Sequence, residues 1–335
     1  MAKRDIVVIG GSAGGTAALK LVIQGIPAGF KGSVFVTTHM PSQYESHLRA
    51  VLEPLAKIPV VQATDGQPIE PGCIYLAVPD RHLLLVGTTL RLGAGPRENM
   101  SRPSIDPMFR SAAMSFGPRV IGVILSGLLD DGVSGLKAVA DAGGVVIVQH
   151  PLDAREPDMP RAALETVPAD HVVAASDIAA LLSQIANIEA PPAGAVPDAL
   201  AFEVDVAAGR GLGSESLRRI AQPVALTCPD CFGVLSEVRN GKPLRYRCQI
   251  GHAFTAEQLL AKNELVDEAL RIALRVMEER LELVQRMARD ARDSARIAVA
   301  ELYESRAEEY RRYAETLRAA ALESNSPVAR ADQSI

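Results

Sequence analysis

Residues 5–15 have the sequence DIVVIGGSAGG, in which four apolar residues lead into glycines on both sides of Ser12. This pattern predicts a buried strand that ends in a tight turn, and a helical pattern begins at Thr16. Such a turn exposes its central residue and directs backbone N–H groups toward whatever binds there. It suits either phosphate binding by a nucleotide-binding fold or a nucleophile whose oxyanion is held by backbone N–H groups.

Short apolar runs alternate with amphipathic stretches as far as about residue 180. Examples of the apolar runs are SVFVTT at 33–38 and VVIVQ at 145–149. Continuous apolar strands separated by helical patterns are typical of a parallel sheet with helices on both faces, so we predict a doubly wound α/β fold. Residues 74–93 have two internal turn signals between β-rich runs and predict an antiparallel hairpin added to that sheet.

The remainder of the chain has a different organisation. A stretch rich in Pro, Gly and Ala without sustained period predicts a linker with few contacts across it, and it is followed by a cysteine cluster and then by a long segment without Pro or Gly. That segment has an apolar stripe typical of a helix, and a second stripe from Leu302 is either its continuation or the return arm of a hairpin. The expected divisions are an α/β domain at 1–188, a linker at 189–222, a cysteine module at 223–256, a helical segment at 257–322 and a disordered tail at 323–335.

The composition gives little support to nucleic acid or membrane partners. The 335 residues have a formal net charge of -5, so no overall basic field is available to attract polyanions. No stretch reaches the roughly 18 apolar residues of a membrane span, and the apolar run near the N-terminus is too short for a signal peptide. We therefore expect a cytoplasmic protein without membrane insertion.

Three polar residues follow three predicted strands. Ser12 follows the first strand, His39 follows the second, and Asp131 lies in the loop after a later strand. Because parallel strands end at the same edge of a sheet, one crevice can collect all three. A serine hydroxyl needs an imidazole to accept its proton, and the imidazole needs a carboxylate to orient it. The sequence thus favours Ser12 as nucleophile, His39 as base and Asp131, or its neighbour Asp130, as the carboxylate.

A nucleotide-binding oxidoreductase is an alternative for the same turn. Its fingerprint requires glycine at the position of Ser12 and an acidic residue after the second strand, where this chain has His39. Both positions therefore disfavour it. Asp131 or Asp130 also has a purely structural alternative as the N-cap of the helix predicted from Val133.

Several of these motifs together resemble the CheB methylesterase family. The likeness covers residues 5 to about 185 and rests on GGSAGG at 10–15, THMP at 38–41, RPSID at 102–106, LSGLLDDG at 125–132 and MPRAA at 159–163. The resemblance implies hydrolysis of glutamate methyl esters on chemoreceptor-type proteins, with release of methanol, and deamidation of glutamine in such proteins. It implies no cofactor for catalysis.

Carried over residue by residue, the resemblance assigns the nucleophile to Ser12, the base to His39 and the orienting carboxylate to Asp131. It assigns the oxyanion and substrate loop to Ala13, Gly14 and Leu128. The family often has threonine at the position of Ala13 and a GMG-type glycine where this chain has Leu128 and Leu129, so the departures concern the oxyanion loop more than the triad.

Members of the family usually have a receiver domain before the esterase. Because the similarity begins at residue 5, we expect a stand-alone esterase that is controlled by its C-terminal extension or by a separate protein.

The cysteine cluster has the spacing of a metal site. Two residues lie between Cys228 and Cys231, sixteen residues lie between Cys231 and Cys248, and His252 is four positions beyond Cys248. Two thiolates at this spacing reach one tetrahedral ion, so we predict a structural zinc in a zinc-ribbon-like module. Such a ribbon can also bind nucleic acid, but aromatic residues for base stacking are few, and we do not favour this function.

A long amphipathic helix usually needs a partner for its apolar stripe. We therefore expect self-association or binding of a regulatory protein through residues 257–322. The alternative function for the whole chain is a non-catalytic signalling scaffold that uses this zinc and helical tail.

Overall fold

The computed structural model describes residues 2–40, 46–211, 213–239, 242–261 and 264–324. The chain divides into two compact units, Met1–Leu259 and Leu260–Ile335. The larger unit contains a seven-stranded sheet, a two-stranded sheet and a four-stranded sheet.

The seven-stranded sheet is parallel throughout, which confirms the predicted α/β fold. Its strands are β1 (Ile6–Gly11), β2 (Ser33–Thr38), β3 (Val60–Gln62), β4 (Ile74–Leu76), β7 (Val120–Ile124), β8 (Val145–Gln149) and β9 (His171–Val173), in the order β3-β4-β2-β1-β7-β8-β9. Gly11 pairs with Thr38 and Gly10 with Ile124, so β1, β2 and β7 end together at one edge.

Helices cover both faces of this sheet. They are α1 (Gly15–Gly25), α2 (Leu48–Leu52), α3 (Ile105–Phe116), α4 (Val133–Asp141), α5 (Asp158–Thr166) and α6 (Ala175–Ile185). Successive side chains of a strand point to opposite faces. Accordingly, Val8 packs in a core formed with α3, α4 and α5, whereas Val7 and Ile9 pack in a second core formed with α1 and α6.

The predicted hairpin forms, but it is not added to the main sheet. Its strands, β5 (His82–Val86) and β6 (Thr89–Gly93), pair only with each other among the described strands. Helix α3 provides the partners that a neighbouring strand would have provided: the N–H of Leu85 donates to Ser111 Oγ at 3.0 Å, and Ser115 Oγ donates to the carbonyl of Leu85 at 2.8 Å. Turn signals define a hairpin but not the surface on which it packs, and for this reason that part of the prediction was wrong.

The stretch that was predicted to be a linker with few contacts contains two helices, α7 (Asp198–Ala207) and α8 (Ser214–Ile220). Helix α7 packs against α3, and the N–H of Gly95 donates to the carbonyl of Ala207 at 3.1 Å. The buried Glu203 accepts a hydrogen bond from Arg245 at 2.6 Å. The segments on either side of this stretch also contact each other, for example through Arg247 and Glu98. The expectation of few contacts across it was therefore wrong, and its two short helices were missed because they do not produce the sustained apolar period that reveals a longer one.

A small antiparallel sheet contains the cysteine cluster. Its strands are β10 (Ala221–Thr227), β11 (Val234–Val238), β12 (Arg245–Cys248) and β13 (Ala253–Thr255), in sequential order, and α9 (Ala256–Ala261) follows. Its core contains Leu235, Tyr246 and Phe254 together with two of the cysteines.

The smaller unit is an antiparallel helical hairpin of α10 (Glu264–Asp293) and α11 (Ile297–Ser324). Arg292 pairs with Glu304 near the turn, and Glu278 pairs with Arg318 farther from it. The second apolar stripe is therefore the return arm of a hairpin, which was one of the two predicted possibilities. Nearly all of the predicted disordered tail, residues 325–335, lies outside the described residues. Among the helices described, none combines the length and the apolar character that crossing a membrane requires.

Candidate active site

The edge of the sheet where β1, β2 and β7 end brings three of the predicted site residues together. Ser12 directly follows β1 and His39 directly follows β2. The turn after Ser12 depends on Gly14, whose φ of 71° lies in the left-handed region. A Cβ at Gly14 would lie 2.6 Å from Ser126 Oγ, so only glycine fits without displacement of its neighbours.

Ser12, His39 and Asp131 form a continuous line of hydrogen bonds. Ser12 Oγ lies 2.9 Å from His39 Nδ1, and His39 Nε2 lies 2.6 Å from Asp131 Oδ2. An ionised carboxylate can only accept, so Nε2 carries the proton that it donates to Asp131 and Nδ1 is free to accept from the serine hydroxyl. The His39 side chain is 24% exposed and that of Asp131 is 1% exposed, so the line runs from the surface into the interior.

The carboxylate of Asp131 is surrounded by donors. The N–H of Ile105, in the first turn of α3, donates at 2.8 Å, Ser104 Oγ at 2.8 Å and Asn99 Nδ2 at 2.7 Å. Burial by itself would raise the pKa of Asp131, but the hydrogen bond and charge of His39, followed by the Ile105 and Asn99 bonds, lower it to about 2. Asp131 is therefore ionised at neutral pH, as the partner of an imidazole must be.

A second buried carboxyl, Asp106, lies beside Asp131 and shares a donor with it. Asn99 Nδ2 donates to Asp106 Oδ2 at 2.9 Å, and the N–H of Gly135 donates to Oδ1 at 2.6 Å. Burial raises the pKa of Asp106; Arg110 opposes this shift and the charge of Asp131 adds to it, so that the pKa is about 7. Two carboxyls this close do not both ionise readily, and Asp106 is the member of the pair that takes up a proton more easily.

Sequence reasoning did not single out Asn99 or Asp106 as members of this network. Asp106 belongs to the RPSID motif at 102–106, which contributes to the resemblance but does not by itself reveal what the aspartate contacts. Asn99 is a single polar residue in a loop, and nothing local in the sequence indicates that it bridges two carboxyls.

The neighbouring Asp130 points away from His39. Its Oδ1 accepts from Thr255 Oγ1 at 2.8 Å and from Gln258 Nε2 at 3.1 Å. Burial raises the pKa of Asp130 to about 6, against the lowering effect of these two hydrogen bonds. Of the two adjacent carboxylates, Asp131 is thus the one in contact with the imidazole.

Ala13 and Gly14 directly follow Ser12, and Leu128 lies in the loop after β7, which Ser12 contacts through a hydrogen bond from its N–H to the carbonyl of Ser126 at 2.9 Å. The N–H groups of Ala13 and Leu128 donate to none of the other described residues, and Leu128 is 49% exposed. Leu129 has a φ of 58°, in the region that favours glycine, at the place where the family loop contains glycine. The loop therefore keeps a glycine-like backbone although the glycine is absent.

Cys228, Cys231, Cys248 and His252 also lie together, with their ligand atoms all within 4.8 Å of one another. The Sγ atoms of Cys231 and Cys248 are 3.6 Å apart, and His252 Nδ1 is 3.5 Å from Cys248 Sγ. In a tetrahedral zinc site with Zn–S distances of about 2.3 Å, two sulfur ligands are about 3.8 Å apart. The four side chains therefore fit one zinc ion.

A parallel α/β sheet with a Ser-His-Asp line at the carboxyl ends of its strands is the arrangement of a serine hydrolase. A family model described as CheB methylesterase matches residues 7–182, and the chain belongs to this family. The match ends before the four-stranded sheet and the helical hairpin.

Relatives and a solved structure agree with this membership. A protein of Leptospira interrogans is 36% identical over 182 residues, which are 54% of this chain and 94% of the relative. The protein-glutamate methylesterase/protein-glutamine glutaminase 1 of Rhodospirillum rubrum is 39% identical over 189 residues, which are 55% of this chain and 49% of that protein. The crystal structure of the Thermotoga maritima CheB methylesterase catalytic domain superposes with a TM-score of 0.53 at 32% identity, over 55% of this chain and 98% of that one.

Proposed function

We propose that the chain is a protein-glutamate methylesterase that acts on methylated chemoreceptor-type proteins. The observation that carries this proposal is the hydrogen-bonded line from Ser12 through His39 to the ionised Asp131. The family membership and the names of the relatives support the same activity.

In the first half of the reaction, Ser12 Oγ attacks the carbonyl carbon of the glutamate methyl ester while His39 Nδ1 accepts the serine proton. The buried Asp131 stabilises the imidazolium that forms. The free N–H groups of Ala13 and Leu128 are the candidate donors to the oxyanion. Collapse of the tetrahedral intermediate breaks the bond to the methoxy oxygen, which takes the proton from His39 and leaves as methanol.

In the second half, a water molecule attacks the acyl-serine ester, again with His39 as the base. The products are the glutamate side chain and the free Ser12 hydroxyl. Attack on a glutamine side chain by the same steps releases ammonia instead of methanol, which would account for a deamidase activity. No step requires a cofactor.

We further propose that Cys228, Cys231, Cys248 and His252 hold a structural zinc ion. The ligand set is closed, because three thiolates and one imidazole fill a tetrahedron and leave no position for substrate. The helical hairpin α10–α11 is the candidate for self-association or for a regulatory partner.

The alternative of a non-catalytic scaffold is not favoured. All three side chains are present, and His39 lies within hydrogen-bond distance of both Ser12 and Asp131, although a protein without catalytic function has no need to keep them so.

The test is methanol release from a methylated chemoreceptor fragment by the wild type, by Ser12→Ala and by the control Ser176→Ala. Ser176 is an exposed serine of α6. We expect release by the wild type and the control and none by Ser12→Ala, with circular dichroism spectra that match. Equal release by Ser12→Ala would refute the proposal, and a wild type inert toward the receptor fragment would favour the scaffold.

A further inference from the structure

The four-stranded sheet contacts the esterase part of the chain immediately beside its carboxylate network. The cysteine module, predicted at 223–256, comprises β10 to β13 with residues 256–259 in the structure. Its side chains bind Glu98 and Asp130, two buried acids that precede Asn99 and Asp131 by one residue. The module thus touches the chain next to both members of the Asn99–Asp131 hydrogen bond.

The first contact is made at Glu98. Arg247 Nη2 donates to Glu98 Oε1 at 3.0 Å, and Arg110 donates to the other oxygen of the same carboxylate. Glu98 also forms a parallel bridge with Ala253, and the N–H of Asn99 donates to the carbonyl of Ala253 at 2.8 Å. The side chains of Arg247 and Glu98 are both buried, so water cannot take the place of either one.

The second contact is made at Asp130. Thr255 Oγ1 and Gln258 Nε2 both donate to Asp130 Oδ1. Without these donors, a buried carboxyl would be left unsatisfied beside Asp131, and the loop would have to move to hydrate it.

The module contact fixes Asn99 in the left-handed conformation, which asparagine adopts more readily than most residues other than glycine. Its φ is 51°, and its backbone N–H is held by Ala253. In this conformation one amide group reaches Asp131 and Asp106 together, at 2.7 and 2.9 Å. The hydrogen bond between the module and the Asn99 backbone therefore also fixes the Asn99 amide, which donates to the Asp131 carboxylate that contacts His39.

The contacts with the esterase part begin directly next to the metal-ligand candidates. Arg247 precedes Cys248 in β12, and Ala253 follows His252 at the start of β13. Folding of the Cys248–His252 turn around an ion therefore sets the positions of both residues that hold Glu98 and Asn99.

We propose that the cysteine module is a positioning element for Asp131, with Asn99 and Asp130 as the positioning residues through which it acts. The proposal rests on the proposed esterase function, because it concerns the same carboxylate. Loss of the module contacts allows Asp131 and therefore His39 to move, which lowers the turnover of a bound ester without changing the surface that binds it.

The first test measures hydrolysis of p-nitrophenyl acetate by the full-length chain. The variant Thr255→Val combined with Gln258→Leu removes both donors to Asp130. We expect kcat to fall at least tenfold with KM changed by less than twofold. The single variant Thr255→Ser keeps the hydroxyl and leaves Gln258 in place. It should therefore retain most of the wild-type kcat. Thr227→Val, at an exposed threonine of the same module, is the control and should match the wild type.

The second test measures hydrogen exchange and does not depend on activity. The N–H groups of Ile105 and Asp106 donate to Asp131, so their exchange reports how firmly this carboxylate is held. In the double variant, and in wild type stripped of metal with a chelator, we expect faster exchange in the peptide that contains them and unchanged exchange in α1. If α1 also exchanges faster in the double variant, Thr255→Val alone replaces it under the same criteria.

The outcomes separate the two proposals. Unchanged kcat and unchanged exchange, in the variant and in the metal-free protein, would overturn the positioning role while leaving the esterase intact. A wild type that hydrolyses neither p-nitrophenyl acetate nor the receptor fragment would overturn the esterase function. In that case faster exchange at Ile105 and Asp106 still supports the positioning of Asp131 by the module, and unchanged exchange rejects it.

Discussion

Asp130 and Asp131 are consecutive in the chain, yet their carboxylates have different partners: Asp131 Oδ2 lies 2.6 Å from His39 Nε2, and Asp130 Oδ1 lies 2.8 Å from Thr255 Oγ1. One carboxylate therefore faces the imidazole, and the other faces the cysteine module. The pair provides a matched comparison of the two kinds of contact.

Replacement of Asp131 by Asn should abolish most of the esterase activity. The amide cannot hold the imidazole in the same tautomer or stabilise its cation, so we expect kcat to fall by about 10³- to 10⁴-fold. Asp130→Asn keeps an oxygen that accepts from Thr255 and Gln258, and we expect a loss of less than tenfold. Methanol release under single-turnover conditions measures both, and a larger loss in Asp130→Asn than in Asp131→Asn would contradict the assignment.

The buried Asp106 should make stability depend on pH. Its pKa is raised from 3.8 to about 7 in the folded protein, so the folded chain keeps a proton that the unfolded chain has released. The stability from this group is present below pH 4 and is lost as the pH rises through 7. The variant Asp106→Asn has no such proton to lose.

We therefore expect the urea midpoint of Asp106→Asn to depend less on pH than that of the wild type when both are measured at pH 5 and pH 8. The variant also loses a favourable contact with Asn99, which lowers its midpoint at both pH values. The pH dependence, and not the absolute midpoint, is thus the relevant quantity. An identical dependence in the two proteins would mean that Asp106 is ionised throughout.

The cysteine module should carry one zinc ion per chain. We expect stoichiometric zinc by elemental analysis of the wild type and of Cys73→Ala, since Cys73 is buried outside the cluster. Cys248→Ser should lose most of the metal and melt at a lower temperature, because binding of the ion contributes to folding. A wild type purified without chelators that contains no zinc and does not take it up would exclude the site.

The turn at Gly14 should not tolerate a side chain. Gly14→Ala places alanine at a φ of 71°, which costs about 1 to 2 kcal/mol for the backbone alone, and its Cβ collides with Ser126. Gly29→Ala is the matched control, because a Cβ there has no neighbour within 4 Å. Thermal unfolding should show a clear loss for the first variant and a change within about 0.5 kcal/mol for the second. Equal effects would mean that the turn adjusts.

Much of the fold and of the site could be predicted because both follow from short-range patterns. Apolar runs separated by helical stretches indicate a parallel sheet, and parallel strands necessarily bring the residues after them to one edge, as happens for Ser12 and His39. The partner of the β5–β6 hairpin could not be predicted in this way, because backbone groups of Leu85 are satisfied by two serines of α3 about 30 residues away.

The hydrogen-bond network of Asn99, Asp106 and Asp131 could not be predicted from the sequence for a similar reason. Asn99 acquires its role from Ala253, which is distant in the sequence, and from two aspartates in different elements. No pattern of composition or spacing encodes a contact of that range. The same holds for α7, whose buried Glu203 is understandable only once Arg245 lies opposite it.

The hydrogen bond from Asn99 to Ala253 has a consequence for the order of events during synthesis of the chain. A ribosome that has completed residues 1–185 has made every residue of the family match, but the carbonyl that holds Asn99 has not yet been made. The nascent domain can collapse around its sheet at that stage, and Asp131 still lacks its support. By the positioning role proposed for the cysteine module, we expect full activity only when β13 has left the ribosome exit tunnel, and an incomplete chain should be weakly active.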